Sequence, residues 1–154
     1  MGCNLPGIYS ALEDMAVAHN GAVVECRGLS ALSNAIHSSN LPLRLLLPVG
    51  TRAEARAVTA ISFGTAQSVQ WKVTDIFLLR PVPQGRGLQD AAAELVAYCA
   101  AYVDVLGAHR VITGDAIIED ATIEPAIITF PFVKEVGTDY FGVECVLQVK
   151  ELIS

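Results

Sequence analysis

Asp75 is the most conspicuous chemical group in this sequence, because its carboxylate lies inside the apolar run from Trp71 to Leu79. A carboxylate that is removed from water has to be paired with a cation or held by hydrogen bonds. Asp75 could serve as a general base, but such a residue more often lies at a β-bulge or meets an arginine across a subunit interface. We therefore expect Asp75 to pair with an arginine.

Four arginines are candidates for contacts between subunits. Arg52, Arg56, Arg80 and Arg86 fall in predicted loops or at predicted strand ends. A guanidinium in such a place can form bidentate contacts with the carboxylates of a neighbouring chain. Together with Asp75 these arginines form the predicted subunit-interface set, and the alternative is that they are only solvated.

The remaining polar residues form no recognisable catalytic signature. His19, His37 and His109 are isolated, and His109 follows the predicted long helix, where a cation can cap the last carbonyls. The four cysteines are scattered without a C-x-x-C pair, which argues against a metal site. The turn at residues 85–87 lacks the glycine pattern and the lysine of a phosphate loop. We expect no catalytic residues, no cofactor and no metal.

The composition predicts a protein that assembles with copies of itself. The net charge is -6, and hydrophobic residues make up 53% of the chain against 17% charged residues. An acidic chain without a basic stripe is unsuited to gripping a nucleic-acid backbone, and its densest acidic part, residues 115–124, is typical of a solvated loop. No run reaches the roughly 18 apolar residues that span a bilayer. The excess apolar surface therefore favours a homo-oligomer.

One stretch of the sequence indicates the architecture. An apolar strand at residues 69–79 leads through a Pro/Gly turn into a long helix at about 88–106, and residues 57–63 are expected to pair with that strand as an extended hairpin. The apolar positions of the helix recur at i, i+3, i+4 and i+7 and should face a sheet. These positions are Leu88, Ala92, Leu95, Val96, Cys99, Tyr102, Val103 and Leu106.

Other elements complete the prediction. Residues 7–19 read as a first helix that ends at Asn20-Gly21, and residues 22–26 as a short strand. Prolines interrupt residues 123–133, which suggests an edge strand. The last strand alternates cleanly, with Phe141, Val143, Cys145, Leu147 and Val149 facing inward. We expect a single α/β domain over residues 1–154, of the α+β class. Its one mostly antiparallel sheet carries the extended hairpin and packs against the N-terminal helix and the long helix.

In its order of elements the chain resembles the tail-terminator, or tail-completion, proteins of long-tailed bacteriophages. The resemblance is carried by NAIHSSNLPLRLLLPVG (34–50), WKVTDIFLLRPVPQGRG (71–87), LQDAAAELVAYCAAYVDVL (88–106) and DYFGVECVLQVKEL (139–152). It implies a structural virion protein without an active site, found in the tail and neck and assembled in the host cytoplasm. It also implies a homohexameric ring that caps the tail tube, stops its polymerisation and docks the head connector, while DNA passes through the lumen without specific binding.

Two other functions remain open. A head-completion or stopper protein of the neck would also form a ring, so stoichiometry does not separate it from a terminator. A hot-dog-type thioesterase would wrap its sheet around the long helix and use a carboxylate, for which Asp75, Asp90 or Glu94 would have to serve.

Overall fold

The computed structural model describes residues 3–28, 36–47, 58–63, 67–130 and 137–153. Two α-helices are present in this part of the chain, α1 (Leu5–Asp14) and α2 (Ala92–Ala108), together with short 3-10 turns at Ser38–Asn40 and Leu88–Asp90. The strands are β1 (Ala18–His19), β2 (Ala22–Val23), β3 (Glu25–Arg27), β4 (Leu43–Leu47), β5 (Val58–Phe63), β6 (Gln67–Pro81), β7 (Val111–Thr113), β8 (Ala116–Phe130) and β9 (Thr138–Ile153).

The main sheet has seven strands and is antiparallel except for the pairing of β3 with β4. Its order is β3-β4-β6-β9-β8-β7, and β5 pairs with the first part of β6 as the predicted hairpin. The long strands β6, β9 and β8 form its centre, with β9 between the other two. The α+β class and the mostly antiparallel sheet with two helices are therefore confirmed.

Both faces of β6 are buried along its second half. The main hydrophobic cluster joins one face to α1 and α2, and Phe77 belongs to it. On the opposite face, Ile76 and Leu78 belong to a second cluster with Leu43, Leu45 and Ile128. This explains why the apolar pattern loses its alternation near Asp75. The register shift between β6 and β9 lies further along, between Leu78 and Arg80.

The face of α2 that contacts the sheet differs from the predicted stripe. Val96 and Val103, predicted to be buried, are 60% and 54% exposed. The helix turns Tyr98 inward instead, because its ring stacks on Phe77 of β6. The fully or nearly buried side chains of α2 are Leu95, Tyr98, Tyr102 and Leu106.

The ends of both helices also differ from the prediction. Helix α1 spans Leu5–Asp14 rather than 7–19, since the Asn4 side chain accepts a hydrogen bond from the Gly7 amide and caps its start. Asn20 and Gly21, with φ of 52° and 79°, form the turn of the β1–β2 hairpin instead of ending the helix. Helix α2 runs one residue past Gly107. His109 Nδ1 lies 2.9 Å from the Val105 carbonyl oxygen, in the predicted capping position.

In the part of the chain that the structure describes, neither helix is long and apolar enough to cross a membrane.

Candidate functional site

Asp75 lies at the centre of a buried polar cluster. Its Oδ2 atom is 2.6 Å from Arg44 Nη2 and its Oδ1 atom is 3.4 Å from Arg44 Nε, and both side chains are completely buried. The hydroxyl of Tyr102 donates a second hydrogen bond to Oδ2, at 2.7 Å. Both carboxylate oxygens are therefore held by donors of the same chain.

Arg44 connects this carboxylate to the end of α1. Its Nη1 donates to the Met15 carbonyl oxygen at 2.7 Å, and its Nη2 lies 3.4 Å from the Leu12 carbonyl oxygen. Burial disfavours the charged guanidinium, but the Asp75 carboxylate outweighs this effect, so the pKa of Arg44 rises above its ordinary value. A permanently charged arginine thus joins β4 and β6 to α1, while Tyr102 joins α2 to the same carboxylate.

The structure corrects the predicted position of Asp75. The expectation that it pairs with an arginine is confirmed, but the partner is Arg44 of the same chain, and the pair lies inside one subunit rather than in a subunit interface. Sequence reasoning missed Arg44. The signal was present, because Arg44 interrupts the apolar run from Leu41 to Leu47 just as Asp75 interrupts its own strand.

A second set of buried polar atoms lies beside this cluster. The Tyr98 hydroxyl and His19 Nε2 are buried, and neither has a hydrogen-bond partner among the described residues. The rings themselves pack closely, since Phe77 lies 5.4 Å from His19 and 3.8 Å from Tyr98 between ring centroids. Stacking contributes about 0.5–1.5 kcal/mol per ring pair and so offsets part of the cost of the two unpartnered atoms, which is about 1–3 kcal/mol each.

The thiols of the half-buried Cys26 and the buried Cys145 are poor nucleophiles. Burial raises the pKa of Cys26 from 9.0 to about 12, and it raises the pKa of Cys145 well above 9.0. Only a thiolate attacks electrophiles or binds metals well. Both residues are thus protonated at neutral pH and act as small apolar side chains.

Arg80 and Arg86, the two described arginines of the predicted interface set, form ion pairs near the start of α2. Arg80 Nη1 lies 2.5 Å from Glu94 Oε2, with side chains 44% and 38% exposed, and Arg86 Nε lies 3.5 Å from Asp90 Oδ2. A role of Arg80 and Arg86 in a subunit interface stays a prediction. Asp90 and Glu94, two of the three carboxylates of which one would have to serve a thioesterase, are thus each paired with an arginine.

The other two predicted interface arginines, Arg52 and Arg56, lie outside the described residues.

A shallow surface pocket of about 180 Å³ lies where β8 and β9 meet. Its charges are of mixed sign, since Lys150 Nζ lies 3.8 Å from Glu119 Oε1, and Gln70 Nε2 donates to Glu119 Oε2 at 3.1 Å. The pocket is lined by Gly114, Asp115, Ile117, Glu119, Lys150 and Leu152. Within the described ranges no three potential metal ligands come together.

Among the described residues, no strand pairs with the outer edge of β8 over most of its length. Strand β7 pairs only with Ala116 and Ile117, and the Ile118 amide donates to the Arg110 carbonyl. From residue 119 to residue 130 no described strand pairs with this edge. Pro125 lies in that open part, where a residue without an amide hydrogen is tolerated, as predicted.

No protein-family model, curated protein or solved structure matches this chain.

Proposed function

We propose that this protein is a bacteriophage tail terminator, a structural subunit that forms a ring on the end of the tail tube. The observation that carries the proposal is the element order around one mostly antiparallel sheet. An N-terminal helix precedes the extended hairpin β5–β6, which leads into one long helix and the closing strand pair β8–β9. The resemblance stated above has the same order.

Exposed side chains on the two sides of the sheet favour assembly into a ring. A closed ring is built from head-to-tail contacts, so each subunit has to offer two different surfaces. Strands β5 and β8 lie on opposite sides of the central pair β6–β9. Strand β5 exposes Ile61 and Phe63, the latter to 77%, and β8 exposes Ile127 to 43% beside its open edge. Large apolar side chains on both flanks fit a subunit that is covered on both sides by neighbours.

The charge of β8 suits a passage for DNA. Asp120, Thr122 and Glu124 alternate along the strand and are exposed on the face opposite Ala121 and Ile123. A ring with such residues at its lumen would repel the phosphate backbone and let DNA slide through. The same role needs no catalytic group, which agrees with a buried carboxylate already held by Arg44.

The proposal is tested by light scattering and negative-stain imaging over a range of protein concentrations, with and without purified tail tubes. We expect six-fold rings, either free or on the ends of tubes, and tubes that stop growing when the protein is added. Failure to form rings under both conditions would overturn the proposal. Rings that bind the head connector but not the tube would identify a head-completion or stopper protein instead.

A further inference from the structure

Phe63 is the most exposed large apolar side chain in the described part of the chain, at 77%. It lies on β5, where Ile61, two residues earlier and on the same face of the strand, is 52% exposed. Adjacent exposed apolar side chains of this size mark a contact site. Phe63 is also the single aromatic residue among the exposed large apolar side chains of the described ranges.

The surface pocket between β8 and β9 has the size of an aromatic ring. Its volume is about 180 Å³, and a cavity of about 150 Å³ holds a benzene molecule. Leu152, in the pocket wall, is 51% exposed. Val111 is 64% exposed and pairs with Ile117, which also lines the pocket. The pocket therefore has room and apolar surroundings for one phenyl group.

The register of the strands places Phe63 and the pocket on opposite faces of the sheet. Phe63 pairs with Gln67, and Gln67 pairs with Ile153, so these three share a face. Ile117 pairs with Lys150, which precedes Ile153 by three positions on β9 and so points to the other face. Strands β5 and β8 are three strand spacings apart, roughly 14 Å. Phe63 therefore cannot reach the pocket of its own chain.

We propose that Phe63 of one copy inserts into this pocket of the next copy. Because the two surfaces lie on opposite faces near the same end of the sheet, the β5 end of one copy can overlap β8 and β9 of its neighbour. A contact between two different surfaces leaves one of each unused on every pair, so it can be repeated around a closed ring. Closure into a ring rests on the proposed function, whereas the contact itself belongs to the free chain.

The charges around the pocket complement an aromatic ring. The face of a phenyl ring attracts cations, and its edge is positive and attracts anions. Lys150 lines the pocket together with Asp115 and Glu119. Lys150 Nζ lies 3.8 Å from Glu119 Oε1, beyond hydrogen-bond distance, and its side chain is 37% exposed. The ammonium group can therefore lie over an inserted ring while it keeps this partner.

Mixing two complementary variants tests the contact. Phe63→Asp removes the ring and keeps the pocket, whereas Leu152→Asp places a charge in the pocket and keeps the ring. We expect each variant alone to be monomeric by analytical ultracentrifugation at concentrations where the parent protein associates. An equimolar mixture should form a dimer that contains one copy of each variant. Association should stop there, because the two remaining surfaces of that dimer are the altered ones.

The possible results separate the contact from the proposed function. A parent protein that stays monomeric, a single variant that associates like the parent, or a mixture without dimers would overturn the contact. Rings of Phe63→Asp on tail tubes would overturn the contact and leave the proposed function standing. The expected dimer, together with a parent protein that does not cap tail tubes, would do the reverse.

Controls show that the variants remain folded. Phe63 and Leu152 are both more than half exposed, so the circular dichroism of the two variants should match that of the parent protein. Val23→Asp is the matched control, since Val23 is 67% exposed on β2 and belongs to neither surface. It should associate like the parent. If Leu152→Asp is unfolded, Ile117→Asp in the same pocket wall takes its place in the mixture.

Two further variants distinguish an aromatic contact from a general apolar one. Phe63→Tyr keeps the ring and should associate within a few-fold of the parent protein. Phe63→Leu fills much of the same space without an electron-rich face, and it should weaken association by roughly tenfold. Association of Phe63→Leu as tight as that of the parent would overturn the proposed recognition of the ring.

Discussion

Tyr98 of α2 stacks on Phe77 of β6, with ring centroids 3.8 Å apart and ring planes within 10° of parallel. This contact fixes the rotation of α2 against the sheet. It buries the Tyr98 hydroxyl without a described partner, whereas Tyr102, one helical turn later, donates its hydroxyl to Asp75. The same side chain thus occurs twice on one buried face, once with and once without a hydrogen bond.

The two tyrosines should respond differently to loss of the hydroxyl. Tyr102→Phe removes a donor from a buried carboxylate and should lower the free energy of unfolding by about 1–3 kcal/mol. Tyr98→Phe removes an unpartnered hydroxyl and should be neutral or slightly stabilising. Urea denaturation of both variants checks this, and equal losses would contradict the hydrogen-bond assignment.

Breaking the buried ion pair should be far more costly than breaking an exposed one. Asp75→Asn leaves the Arg44 guanidinium buried without its counter-charge, and the free energy of unfolding should fall by about 3–5 kcal/mol. Glu94→Gln removes the partner of the half-exposed Arg80 and should cost about 1 kcal/mol or less.

The double variant Arg44→Met with Asp75→Leu provides a further control on the same pair. It replaces the ion pair by apolar side chains of similar size and should be more stable than Asp75→Asn alone, since no uncompensated charge remains. A double variant that is less stable than the single one in urea denaturation would show that the pair itself supplies net stability.

Replacing Gly142 and replacing Gly107 by alanine should change the stability of the fold in opposite directions. A Cβ atom on Gly142 of β9 would collide with the Phe77 backbone carbonyl and the Ile128 side chain, so Gly142→Ala should destabilise the fold by about 1–3 kcal/mol. A Cβ atom on Gly107 of α2 meets open space, and Gly107→Ala should stabilise it by up to about 1 kcal/mol. Thermal unfolding at low protein concentration measures both, and a neutral Gly142→Ala would show that β6 and β9 can move apart.

Stability should fall at alkaline pH. Burial raises the pKa of Tyr9 from 10.0 to about 12 and that of Cys26 from 9.0 to about 12. These groups keep their protons more tightly in the folded state, so their contribution is complete below pH 9 and is lost as the pH rises toward 12. The urea midpoint should be constant from pH 7 to pH 8.5 and then decrease. In Tyr9→Phe the urea midpoint should decrease less above pH 10 than in the parent protein. If the two midpoints depend on pH in the same way, Tyr9 has no such role.

The strands were predictable from sequence because alternation is a local signal. In β9, Phe141, Val143 and Cys145 are all buried as expected, and the hairpin of β5 with β6 forms as predicted. The rotation of α2 was not predictable from its own residues, because a helix that is apolar on every side does not indicate which side faces the sheet. Only the ring of Phe77, which comes from another strand, decides between Tyr98 and Val96.

The sequence also could not identify the partner of Asp75. Arg44 and Asp75 are separated by 31 residues and lie on different strands, so their contact depends on the register between β4 and β6. In that register Arg44 lies opposite Phe77 and Asp75 opposite Leu46, which places the two charges diagonally on one face. A sequence pattern can indicate that each charge needs a partner, but the register identifies it.

The position of β9 has a consequence for the order in which the chain can fold. This strand lies between β6 and β8, yet it is the last described strand in the sequence. Its residue Ile153 pairs with Gln67 of β6, from which it is separated by more than half of the chain. Until residues 138–153 have left the ribosome, β6 and β8 each present a long unpaired edge. The sheet therefore closes only once these residues are available, through contacts of high sequence separation, which form more slowly than local ones. During that interval the nascent chain is open to association through these edges.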